Sequence, residues 1–328
     1  MGFDADATIA SPPRDWRWVS QPVKSGKRAV ELRPEGGFAA CALAAHGGPV
    51  TCHLPFETKR ARQVLKTYIP RLGGSEAGWK FLLALLAMAP NARERVECLE
   101  WFLREVRDHP REAEALAMLR QALAEADEAN AEPRLREFIA RRGFSPRTLY
   151  DFHRRYLGTP RDCVREWQIL GPFPNPKYPK FGPTLPPDGA PVRLGATFEG
   201  AKGPVTWKPY LAPSDYVDLD PLFEPNEYVV AYAACWVRAP KAQPVFLAVG
   251  SDDDSIVWLN GREVLRGDNI SYARPGAFIA PATLKAGWNE ILVKITEEYE
   301  TWGFYFEILD PDTFRKPEGI RISPEPPR

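Results

Sequence analysis

The feature that most constrains this chain is the spacing of apolar runs between Tyr228 and Ile308. Tyr228–Val237, Val245–Val249, Ser255–Leu259, Glu290–Ile295 and Phe304–Ile308 are short, rich in β-branched and aromatic residues, and separated by Pro, Gly, Asp and Asn. Such runs are strand signals. Between Ser255–Leu259 and Arg262–Val264 stands Asn260-Gly261, a pair that tolerates the positive φ of a two-residue type I′ hairpin. Antiparallel strands spaced like this cannot each bury a face alone. Two stacked sheets are the predicted solution.

Within this region Gly250-Ser251-Asp252-Asp253, then Val257-Trp258-Leu259-Asn260-Gly261, and Leu284–Asn289 running on to Lys294, resemble the galactose-binding-like jelly roll. That sandwich occurs in the sugar-binding domains of family 2 glycoside hydrolases and in carbohydrate-binding modules. Trp167–Phe173 is similar to the first strand of related modules appended to large exported bacterial proteins. The resemblance covers about residues 167–311, close to half the chain. It implies an antiparallel sandwich, carbohydrate as the ligand and an extracytoplasmic setting. Sandwiches of this kind also serve protein contact and scaffolding, so fold and role are separate inferences.

The rest of the chain divides by pattern. Residues 1–14 read as a disordered leader and 15–60 as a small β element, with strands at Trp16–Val19, Ala29–Leu32, Phe38–Leu43 and Val50–Leu54. That element is too small for a core of its own. A helical domain is expected over 61–160. Ser75 and Asn91 are N-cap candidates, and apolar stripes follow at Trp79–Met88, Val96–Val106 and Ala115–Leu123. The sandwich is expected over 161–312 and a Pro-rich tail over 313–328. The predicted class is therefore α+β multi-domain: small N-terminal β element, central all-α helical domain, C-terminal antiparallel β-sandwich. Prolines number 34, many within 172–191 and 317–327, and those stretches read as rigid extended connections rather than packed elements.

Residues 134–158, through Phe138–Leu149, Phe152 and Gly158, resemble a helix-turn-helix of the AraC type. Residues 131–166 hold nine arginines against five acids, and the resemblance implies phosphate or base contacts from Arg147, Arg154 and Arg155. That family carries two such units in tandem, and no first unit precedes this one. Structural packing of the helices is the favoured reading.

Overall charge adds no argument for nucleic acid or anionic membrane, since 43 basic residues balance 43 acidic ones. No apolar run is long enough for a membrane span, and the first residues lack a secretion-signal pattern. Of the five cysteines, Cys41 and Cys52 would face each other across a hairpin turning at His46-Gly47. That spacing permits a disulfide, and two buried thiols are the alternative. Neither CxxC spacing nor a histidine cluster joins His46 and His53 in a zinc site.

Two groups of residues could carry function. Asp252-Asp253-Asp254 places three carboxylates in one loop that could hold calcium, or could close the turn by accepting backbone amides. Arg266, Asp268, Tyr272, Arg274, Tyr299 and Trp302 mix aromatic rings with forked donors and acceptors near predicted loops, the chemistry that recognises a sugar. Trp258 and Trp288 read as core. No nucleophile elbow, zinc-binding helix, P-loop or dinucleotide fingerprint is present. The expectation is a non-catalytic binding or interaction module, carbohydrate-binding, within or derived from a larger exported protein. Alternatives are a structural or assembly protein that binds other protein chains, an accessory part of a glycan-degrading enzyme, and a DNA-binding regulator.

Overall fold

A computed structural model describes Gly2–Phe3, Trp16–Val19, Arg28–Leu32 and residues 75–89 and 91–326. The chain divides into two compact units, Met1–Thr148 and Leu149–Arg328.

In the first unit, β1 (Gly2–Phe3), β2 (Trp16–Val19) and β3 (Arg28–Leu32) form an antiparallel sheet in the order β1-β3-β2. Gly2–Phe3 falls in the stretch expected to be a disordered leader. The strands expected at Phe38–Leu43 and Val50–Leu54, the Cys41–Cys52 pair, His46 and His53 lie outside the described residues. Four helices follow: α1 (Glu76–Met88), α2 (Ala92–Glu105), α3 (Glu112–Ala126) and α4 (Ala131–Arg142). Both expected caps are formed, Ser75 accepting from the Gly78 amide and Asn91 from the Glu94 amide at 3.0 Å. Glu112, buried at the start of α3, ties the helices together. It accepts from Arg142 at 2.7 Å, from the Asp108 amide at 3.0 Å and from the Thr148 hydroxyl at 3.0 Å.

Helix α5 (Pro146–Arg155) follows α4 through Gly143, which ends α4 at φ 63°, so both helices of the AraC-like motif exist. Of the three residues assigned to DNA contact, Arg154 is committed elsewhere. Arg154 is only 9% exposed and reaches the buried Glu307 carboxylate at 2.6 Å, and Tyr150 donates to the same carboxylate at 2.6 Å. Tyr150 and Phe152 are buried. Arg155 leans on Asp151 at 3.8 Å. This is a packing helix.

The second unit is an antiparallel sandwich. Its larger sheet has β12 (Arg262–Gly267), β11 (Ser255–Leu259), β14 (Gly287–Glu297), β9 (Val229–Ala239), β4 (Glu166–Pro174) and β7 (Lys208–Leu211) in that order, with β16 (Arg321–Ser323) also paired to β9. The smaller sheet runs β13 (Phe278–Leu284), β10 (Gln243–Asp252), β15 (Gly303–Leu309), β8 (Val217–Asp218). Alternate residues from both sheets meet in one core: Ala231, Ala233, Cys235 and Val237 on β9, Ile291, Val293 and Ile295 on β14, Val245, Leu247 and Val249 on β10, Phe304, Phe306 and Ile308 on β15. The expected hairpin is present. Leu259 pairs with Arg262, while Asn260 and Gly261 take φ 53° and 78°.

Strand β9 is apolar on both faces because the larger sheet has a second core on its outer side. Val230, Tyr232, Ile256, Trp258 and Leu292 are covered there by Phe181, Leu185, Val192, Leu194, Phe198 and Val205. The last two belong to the hairpin β5 (Thr197–Gly200) and β6 (Gly203–Thr206). The Pro-rich stretch is thus a packed strap, not a bare connection. Its prolines fix φ and leave few amides needing partners, so it can lie on an apolar sheet without forming strands. A buried polar knot pins it: Lys294 Nζ donates to Asp188 at 3.1 Å and to the Pro183 carbonyl at 2.6 Å, and Tyr232 donates to Asp188 at 2.6 Å. On the smaller sheet, Tyr150, Ala248, Leu309 and Phe314 form a cluster, with Phe246 and Ile279 packed against it.

Candidate metal centre

Strand directions bring the loops 219–228, 252–254, 268–277 and 298–302 to one rim of the sandwich. Hydrogen bonds tie them together. The Tyr228 amide donates to the Glu298 carbonyl at 3.0 Å, the Trp302 amide to Asp220 at 3.0 Å, and the Asn269 amide to Asp254 at 3.0 Å. Loop 268–277 passes so close to β10 that a Cβ on Gly250 would overlap the Arg274 carbonyl, and only glycine fits there.

At the centre of this rim, carboxylate oxygens of Asp252, Asp253 and Glu297 all lie within 4.8 Å of one another. The peptide joining the two aspartates is cis. Each aspartate is held by one oxygen. Thr301 donates to Asp252 Oδ2 at 2.6 Å; Tyr178 and the Glu298 amide donate to Asp253 Oδ2 at 2.7 and 3.0 Å. Glu297 is 1% exposed, and neither of its oxygens has a hydrogen-bond partner. Burial, and then the charges of Asp253, Asp252, Asp220 and Glu227, push its carboxyl up to about 10. Burial also raises Asp252 and Asp254. Buried carboxylates with no cation beside them are costly to ionise, and a divalent ion bound by the three would reverse that cost. Oxygen donors of this kind suit a hard cation, and calcium tolerates the irregular geometry that magnesium does not.

The expected trio is therefore divided. Asp252 and Asp253 face Glu297, whereas Asp254 accepts from the Phe181 and Asn269 amides at 2.9 and 3.0 Å and closes the turn. Among the sugar-site candidates, Trp302 is fully buried in the sandwich core with Phe304 and Phe306. Standing just before β15 in phase with Phe304 and Phe306, it points inward, away from solvent. Arg266 makes a bidentate pair with Glu263 at 2.7 and 2.8 Å and lies over the Phe181 ring. Asp268 pairs with Lys180 at 2.6 Å. Tyr272, Arg274 and Tyr299 are exposed on the rim loops, where Tyr228 and Ile270 join them. Of the two tryptophans expected in the core, Trp258 is buried, whereas Trp288 is only half-buried and joins neither core.

Glu297 was not among the residues singled out from sequence, although a signal for it exists. Ile291, Val293 and Ile295 face the core, and a period of two puts Glu297 on the same side at the strand's end. Tyr178, the hydroxyl on Asp253, comes from the strap and carries no such mark.

No protein-family profile and no curated protein matches the chain. Among solved structures, a beta-glucosidase from Kluyveromyces marxianus is similar over 44% of this chain and 17% of its own, at 10% identity and a TM-score of 0.29. A Faecalibacterium prausnitzii beta-glucuronidase aligns over 41% of this chain and 21% of its own, at 14% identity and a TM-score of 0.25. An anti-sigma factor domain-containing protein from Clostridium clariflavum aligns over 44% and 40%, at 12% identity and a TM-score of 0.24. The chain thus spans less than half the length of each of these proteins.

Proposed function

We propose that the sandwich is a calcium-dependent binding module whose rim takes a carbohydrate, in keeping with the galactose-binding-like character of its strand motifs. One observation carries the reading: the Glu297 carboxylate, buried and without a partner, is set among two further carboxylates that converge on it. Calcium takes six to eight oxygens, and an ion held by these three buried carboxylates would order the rim loops that meet the sugar rather than touch the sugar itself. Rings suited to a sugar's apolar face stand around it. Of eight large apolar side chains exposed among the described residues, Tyr228, Ile270, Tyr272 and Tyr299 are on three rim loops. Catalysis by the same carboxylates is disfavoured, because at 7%, 8% and 1% exposure they offer a substrate bond little access.

A thermal melt with and without calcium tests this directly. At calcium about a hundredfold above its dissociation constant, the folded state should gain about 2.7 kcal/mol, and Asp253→Asn should lose that gain. Glycan binding should then require calcium and weaken in Tyr299→Ala and Tyr272→Ala. A melt indifferent to calcium would refute the cation site; calcium-stabilised protein that binds no glycan would leave the ion and remove the sugar.

A further inference from the structure

In the helical unit, far from the rim in sequence, a cavity of about 560 Å³ opens between α2 and α4. On α2, Glu100 and Arg104 share one face, and Arg107 follows just past the helix; on α4, Arg134, Phe138 and Arg141 share the facing side. We propose that this cleft binds an oxyanion-bearing ligand, a phosphate or sulfate ester. Arg142 also lines it but is spent inside the fold, donating to the Leu103 and Val106 carbonyls and to Glu112. The other four guanidinium groups face only two carboxylates, Glu100 and Glu137. Arg104 and Arg134 share Glu100, at 2.7 and 3.9 Å, Arg141 pairs with Glu137 at 2.5 Å, and Arg107 makes no ion pair among the described residues.

Helix electrostatics account for part of this set and not for the rest. Arg104 and Arg141 stand in the last turns of α2 and α4, where the helix dipole favours a cation. Arg134 is in the first turn of α4, where the dipole opposes one, and Arg107 lies past the end of α2. A tetrahedral oxyanion accepts forked donors from several guanidinium groups at once and would relieve their mutual repulsion. Buried Phe138 lies beneath Arg104, whose guanidinium sits 5.6 Å from the ring centroid, and so fixes the floor on which that charge rests.

Isothermal titration of the full chain with inorganic pyrophosphate and, separately, with a sulfated disaccharide tests the proposal. At least one should bind, more weakly as salt rises, and whichever binds identifies phosphate or sulfate as the natural group. Arg107→Glu and Arg134→Glu should each weaken binding about tenfold or more, while Glu100→Gln should tighten it. Arg107 is exposed and unpaired, so its variant should keep the wild-type melting temperature. Neither probe binding to wild-type protein, or unchanged affinity in the Arg107→Glu, Arg134→Glu double variant, overturns the proposal. Asp253→Asn should leave this binding unaltered, which separates it from the fate of the rim.

Discussion

At the end of β14, Glu297 continues an alternation that Ile291, Val293 and Ile295 begin, and it carries a carboxylate where the pattern calls for a methyl-bearing side chain. Its carboxyl ionises near 4.5 in an unfolded chain and near about 10 in the folded, cation-free one. Between those values the folded state holds a proton that the unfolded state has released. Stability without a cation is therefore greatest at acid pH and declines as pH rises toward the upper value. Calcium selects the ionised form and should flatten that decline. Melting temperatures taken in chelator from about pH 5 to about pH 8 should fall for wild type and fall less steeply for Glu297→Gln, in which the raised Asp252 and Asp254 remain; equal slopes would mean that Glu297 is not the main titrating group. Trp302 follows the same geometry. Replacing it by alanine should cost about 3–5 kcal/mol in urea unfolding, the price of a cavity, rather than affecting a ligand alone. Both residues were legible in principle from their strand parity. The partner hydroxyl of Tyr178 was not, because nothing local says where an irregular strap will lie.

Among the elements, the strands, the Asn260-Gly261 turn and the helix caps follow from local chemistry, and the sequence shows them plainly. The strap and α5 are different. Pro-rich sequence states what the backbone between about 175 and 191 cannot do, and gives no sign that Phe181 and Leu185 will cover a sheet. The double-sided apolar character of β9 was the available clue, since a strand buried on one face should alternate. Helix α5 likewise resembles a nucleic-acid motif, and although packing was its favoured reading, nothing local shows that Arg154 will lie over Glu307. Arg154→Ala should destabilise the sandwich by about 3–5 kcal/mol by stranding that buried carboxylate, a loss that chemical denaturation would register. The additional change Glu307→Gln should return much of it. If the double variant is no more stable than Arg154→Ala, the ion pair is not what matters.

For the molecule as a whole, the described residues form a helical unit and a sandwich, and no described helix is long and apolar enough to cross a membrane. Helical stripes precede the strand runs of the sandwich in chain order, as the elements do. Where one gives way to the other was harder to see, because Leu149–Leu157 is helical by pattern yet counts with the sandwich by contact. A fragment spanning residues 149–328 should accordingly fold by itself, whereas one beginning at 161 should melt lower or precipitate, having lost Tyr150, Phe152 and Arg154. Equal stability of the two fragments would show that the helix adds nothing. The covering of the sandwich by its own chain has one more consequence. With the strap on one broad face and α5 with Phe314 on the other, a visitor is left chiefly with the loop-bearing end. Substitutions confined to the exposed positions of those loops, Tyr228, Ile270, Tyr272 and Tyr299, should alter what the sandwich meets while its folding stays as it was, which makes them the natural place to re-engineer recognition.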